Sequence, residues 1–417
     1  MKQWLVIVTL ILAVSACKDD DNLPRAIFTL TLTDDAYLYY RPAYVIIRDH
    51  ETSEFLDTDS IAPDKTVTFE TDKRIGDNKV DVIYYTNLQY DNNRYHDVNV
   101  YMGVDVGAEW TWSGPLNYSG QRPTIGTYVV HINDLEVVNT GPVISDRYGF
   151  IKTYNPAIDP YTQVSINDGE DKQLITINNG SAPSQYHWLE GAEDGDQTDI
   201  EFSDMKTFTK YAQMNVPHPV DVRGHVVGYR DLPVSSNVYE FNQNTPGYIL
   251  MNSAYPADEA YKMWLLDELP YYNIYLVVDG FSYVSLGPPP TSIEYVDPSE
   301  FMITNKTGLE FAFTTSRDYL HRAVYYEHTS SDNDIYENIQ VTYHAAIGDN
   351  KPHYQPLTDD LMQRFDIPID MIEFSSSEFF IEGPSYNDFI KSSTIGRFNI
   401  FHNPTLPFIQ RSVSGHW

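Results

Sequence analysis

The chain has 417 residues, 42% of them hydrophobic and 14% aromatic, which is more apolar material than one ordinary core holds. Its 59 acidic against 27 basic residues give a net charge of −32, a field that repels nucleic acid and anionic membrane surfaces. A single cysteine excludes a disulfide framework and a thiolate metal site, so stability must come from burial.

The chain opens on a positive end, Met1-Lys2, followed by Trp4 to Val14, apolar apart from Thr9. That run is far shorter than the roughly 20 residues of a bilayer span and has the length of a secretory signal core. Ser15 and Ala16 supply the small residues of a cleavage site. Val14-Ser15-Ala16-Cys17 resembles the lipobox of bacterial lipoproteins. The resemblance implies that residues 1–16 are removed and that Cys17 becomes the acylated first residue, anchored by more than one chain. Lys18, Asp19, Asp20 and Asp21 resemble the surface-export signal of Bacteroidetes lipoproteins. That resemblance implies an acidic tether, residues 17–24, on the outer face of the outer membrane. No later apolar run is long enough to span a bilayer.

Downstream, period-two patterns dominate. In AIFTLTLT, Phe28, Leu30 and Leu32 share one face and Thr29, Thr31 and Thr33 the other, the mark of a half-buried strand. KTVTFET places Val67 and Phe69 together, and KVDVIYYT does the same with Val80, Val82 and Tyr84. DVNVYMGVDV predicts a strand with Val98, Val100, Met102, Val104 and Val106 on one face. Turn signals such as IGDNK at 75–79 separate these runs. Residues 25–137 therefore read as an immunoglobulin-like or related β-sandwich.

A second mainly β domain is expected over 138–286, with Ile175 and Ile177 alternating in QLITINN. Within it, PADEAYKMWLLDEL predicts a short helix, with Asp258 as cap and Ala260, Met263 and Trp264 at helical spacing. Pro288 to Pro290 forbid a central strand and mark the next boundary. A third mainly β domain, 291–417, is expected to hold two short helices, one starting at Thr358 and one capped by Ser385. IGDNK recurs at 347–351; Gly-Asp-Asn is hairpin chemistry, and the recurrence does not establish a duplication. The fold class is thus mainly β, in tandem immunoglobulin-like sandwiches with a few short helices.

Signatures of catalysis are missing from the sequence. HETSE at 50–54 lacks a zincin's second histidine, and GFSYV at 280–284 lacks the last glycine of a nucleophile elbow. The acidic loop with Glu193, Asp194, Asp196 and Asp199 is the calcium candidate, since hard cations take six to eight oxygens. Its spacing does not follow the twelve-residue EF-hand order. No other cofactor is expected. Trp110 and Trp112 fall on one strand face, and exposed there they would form a platform on which sugar rings stack. These features lead to the expectation of a non-catalytic surface binding protein that captures glycan or nutrient beside an outer-membrane transporter. The alternatives are a structural or adhesive surface protein and a carboxylate-dependent glycoside hydrolase.

Overall fold

The computed structural model describes residues 24–33, 43–112, 124–133, 143–145, 151–153, 161–167, 172–177, 184–217, 219–231, 247–257, 259–307, 311–332, 335–349, 367, 371–392 and 408–415. These are mainly strands, and three of the four units they form share one topology.

The first unit contains β1 (Arg25–Leu32), β2 (Ala43–Asp49), β3 (Phe55–Ile61), β4 (Lys65–Thr71), β5 (Lys79–Tyr90), β6 (Asn93–Asp105) and β7 (Ala108–Trp112). Its first strand pairs antiparallel with the fourth and parallel with the seventh, and its larger sheet has the order third, second, fifth, sixth. The second unit repeats this with β8 (Thr124–Asn133), β9 (Val143–Ser145), β10 (Ile151–Thr153), β11 (Tyr161–Asn167), β12 (Lys172–Ile177), β13 (Gln185–Glu190) and β14 (Gln197–Glu201). A two-residue strand, β15 (Lys206–Thr207), extends its larger sheet beyond β13. The third unit repeats it again with β16 (Lys210–Asn215), β17 (Val220–Tyr229), β18 (Gly247–Ala257), β19 (Ala260–Leu265), β20 (Tyr271–Val278), β21 (Phe281–Gly287) and β22 (Ser292–Ile293). In the fourth unit a hairpin of β23 (Phe301–Asn305) and β24 (Ala312–Thr315) forms one layer. The other layer is β25 (His321–Asp332), β26 (Ile335–Ala346), β27 (Glu373–Glu382) and β28 (Phe408–Gly415), in the order β26-β25-β27-β28. Helix α1 (Tyr386–Ser392) lies between its last two strands in sequence.

Each of the first three units is a β-sandwich with an apolar interior. Phe28, Leu30, Leu32 and Phe69 of the smaller sheet meet Val45, Ile47, Val80 and Val82 of the larger in the first unit. Tyr128, Val130 and Ile132 meet Ile175 and Ile177 in the second. Met214, Met263 and Leu265 meet Ile274, Leu276 and Phe281 in the third. Burying such alternating faces supplies the main folding force, at roughly 25 cal/mol per Å² of apolar surface. On the solvent side of β1, Thr29 and Thr31 form hydroxyl pairs with Thr68 and Thr66 of β4, at 3.3 and 2.9 Å.

Three larger sheets fuse into one of twelve strands. β6 pairs parallel with β26, and β21 pairs antiparallel with β28, so the fourth unit lies between the first and the third. An unpaired edge strand is a template for aggregation, and fusion covers these edges with strands of the same chain.

Several expectations change. The segment expected as a helix around Ala260, Met263 and Trp264 is strand β19, outside which Asp258 is not among the described residues. Tyr261, Met263 and Leu265 are buried while Lys262 and Trp264 lie on the other face; the period is two, and pairing with β16 selects it. β6 does not keep five residues on one face. Between Val80 and Val82 the register shifts, and Gly103 takes φ +67°. Val98, Val100 and Met102 therefore pack on the opposite face of the sheet, in one cluster with Ile46, Ile83 and Val341, whereas Val104, beyond the bulge, packs into the first unit's interior with Tyr101. The last described strand of the first unit ends at Trp112, and the strands described between 124 and 293 make two repeats of the seven-strand pattern. Pro288 to Pro290 join the sixth and seventh strands of the third unit. The two IGDNK segments occupy unlike positions, between β4 and β5 at 75–79 and after β26 at 347–349. The helix after Ser385 is present: Asp388 N–H donates to Ser385 Oγ, and Ser385 Oγ donates to Asp388 Oδ2 at 2.6 Å. The helix expected from Thr358 lies outside the described residues.

Candidate functional site

Trp110 and Trp112 face inward. They are 3% and 2% exposed, stack on each other at 5.7 Å, and meet Phe28, Tyr84 and Tyr101 edge-on. Trp112 Nε1 donates to the Ile390 carbonyl of α1 at 3.4 Å. The sugar platform expected from their spacing is therefore corrected: the same face of β7 that aligns the indoles is the face turned to the core. Period two finds residues that share a face but not which face is wet.

The acidic loop of the second unit is the turn between β13 and β14, and its carboxylates serve that turn. Asp194 Oδ1 accepts the Thr127 N–H at 2.8 Å, and Asp196 Oδ2 accepts the Glu193 N–H at 2.9 Å. Asp199 Oδ1 lies 3.1 Å from His131 Nδ1. Among the described residues no group of three or more His, Cys, Asp or Glu side chains is arranged to hold a metal ion. Cys17, Lys18, Asp19, Asp20 and Asp21 lie outside the described residues.

A groove of about 720 Å³ opens beside that turn. Its size falls within the range of roughly 300–1,000 Å³ usual for ligand sites. One wall is the end of β13, His187 to Glu190; Asp196 and Thr198 form another; Lys206 and, from the third unit, Glu268 complete it. The cross-strand register of β12 and β13 sets Lys172 opposite Glu190 and Leu174 opposite Trp188. Lys172 and Trp188 are thereby diagonal neighbours on one face. Lys172 Nζ lies 4.1 Å over the indole and 3.6 Å from Glu190 Oε1, and Arg230 approaches the same ring at 5.8 Å. Tyr248 of β18 packs perpendicular to the indole at 4.8 Å. Burial, with help from the Lys206 charge and against Asp204, holds the His187 imidazole below its ordinary pKa, so it is neutral at pH 7. The groove therefore offers ammonium donors and carboxylate acceptors side by side, with a capped aromatic wall. Sequence reading missed it because its parts come from two units.

A second polar cluster joins the first and fourth units. His344 stacks on Tyr101 at 4.8 Å and 10°, and His321 stacks on Phe380 at 4.1 Å. Phe389 of α1 covers both rings, and Tyr386 Oη donates to the His344 carbonyl at 2.8 Å. Among the described residues neither imidazole has a hydrogen-bond partner on either nitrogen. Burial lowers both to a pKa of about 3, His321 with a further push from His344. Nearby, buried Asp81 accepts the Gly103 N–H at 2.8 Å and has His50 Nδ1 at 2.6 Å.

No protein-family model matches this chain, and no curated protein matches it. Among solved structures, it is similar to a candidate adhesin from Bacteroides ovatus at 10% identity, over 72% of this chain and 95% of that one, with a TM-score of 0.13.

Proposed function

We propose that this chain is a lipid-anchored adhesive or docking protein on the outer face of the bacterial outer membrane, which binds partners rather than transforming them. The lipobox-like Val14 to Cys17 and the acidic tether support the location. The observation that carries the function is the mixed-charge groove at the junction of the second and third units, built largely from the end of strand β13. Rigid elements position a site more accurately than loops do.

A second reading, capture of glycan or nutrient beside an outer-membrane transporter, draws on the polar lining of the same groove, which offers hydrogen-bond donors and acceptors to hydroxyl groups. Binding of intact cells to protein-coated and polysaccharide-coated surfaces separates the two: the docking reading expects attachment to protein, lost in a deletion strain. Attachment to polysaccharide alone would favour glycan capture. Release of reducing sugar that depends on Glu190, Asp196 or Glu268 would replace both with a hydrolase. For the location, protease added to intact cells is expected to degrade the protein, and labelled palmitate to be lost in Cys17→Ser.

A further inference from the structure

Each sandwich ends its larger sheet with its sixth strand, and three of those four margins are occupied by another unit. β6 takes β26, from Asn93 opposite Tyr336 to Tyr101 opposite His344. β21 and β28 take each other, from Phe281 opposite Val413 to Leu286 opposite Phe408. The second unit differs. Beyond β13 only β15 pairs, at Gln185 and Tyr186. Among the described residues His187, Trp188, Leu189 and Glu190 have no strand on that side. These same four residues line the groove.

A bare strand edge is a row of N–H and C=O groups ready to pair, and adding a strand to it is a recurrent way of holding a peptide. We infer that the β13 edge is a docking site for an extended peptide segment of a partner protein, laid as a further strand along His187–Glu190 inside the groove. This rests on the docking reading above. Four residues span about 13 Å, enough for a short recognition strand.

The occupant is a peptide rather than a sugar because the indole is not free for ring stacking: Lys172 Nζ sits 4.1 Å over it. It belongs to another protein rather than to a second copy, because copies of a chain at −32 repel each other. Lys172 and Lys206 on one hand, and Glu190, Asp196 and Glu268 on the other, fit a segment carrying both charges.

The test is amide hydrogen exchange on the detergent-solubilised mature chain, alone and with peptides selected on it from a random library, with maltoheptaose as the sugar probe. In the free chain the outward amides of His187–Glu190 are expected to exchange readily while those of β6 and β21 are protected. Selected peptides are expected to slow exchange at His187–Glu190 by about 100-fold or more. Lys172→Glu with Lys206→Glu, which leaves the strand edge intact, is expected to weaken those peptides about tenfold. Failure to select a peptide, or protection confined to another surface, overturns the inference. Maltoheptaose binding that Trp188→Phe abolishes without amide protection assigns the groove to sugar and overturns it. Protection that rises with protein concentration alone, together with a dimer in sedimentation, assigns the edge to a second copy and overturns it. Failure of the docking reading itself is separate: it shows as cells that attach no better than the deletion strain, whatever the exchange data say.

Discussion

Trp112 shows how little a residue's type says without its surroundings. It is 2% exposed, ringed by Trp110, Tyr84 and Tyr101, and tied through Nε1 to α1. Trp112→Ala is expected to destabilise the chain by about 3–5 kcal/mol, the usual cost of emptying a core aromatic site. Urea unfolding checks this, and a change below about 1 kcal/mol would show that the ring is not in the core. Cys17 and the acidic run after it are expectations that rest on residue order alone and lie outside the described residues. The groove was not legible in that order. Lys172, Trp188 and Glu268 mean nothing together until two units meet, and no spacing in the sequence announces that.

At the scale of elements, alternation carried most of the reading. Strands β1, β4, β5 and β12 are placed where period two puts them, since burying one face of a sheet requires it. Two elements resisted. β19 contains both a helical and an alternating reading, and its pairing with β16 decides. β6 changes face at Gly103, a bulge whose φ of +67° favours glycine. Gly103→Ala is expected to cost about 1–2 kcal/mol through the left-handed backbone alone, since the new methyl would meet only ordinary 3.6 Å contacts with His50 and Asp349. Thermal unfolding of that variant measures it; an unchanged melting temperature would mean the bulge had moved.

For the whole molecule, the join between the first and fourth units is expected to be acid-sensitive. His321 and His344 are held neutral, with pKa values of about 3 against 6.5 in an unfolded chain. Below pH 6.5 the unfolded state binds more protons than the folded one, so their contribution is complete above that value and drains as pH falls toward 3. Each is expected to cost about 2 kcal/mol of stability between pH 7 and pH 5. Denaturant titrations at those two pH values check this, with His321→Phe/His344→Phe expected to flatten the difference. An equal loss in that variant would place the acid sensitivity elsewhere. Excision of residues 25–112 is expected to bare the β26 edge and bring on self-association, visible by light scattering. None of this long-range order was readable beforehand, because sheet fusion is a matter of which edges meet, not of local propensity.

The fourth unit reaches between the first and third by pairing β26 with β6, more than two hundred positions earlier in the chain. A polypeptide threaded outward from its N-terminus thus has its outer sandwiches waiting, half-finished, for a centrepiece made last. Contacts closed over such long loops form slowly. Maturation of this molecule is accordingly expected to be limited by arrival of its final hundred or so residues, with a period of vulnerability to clumping before they arrive.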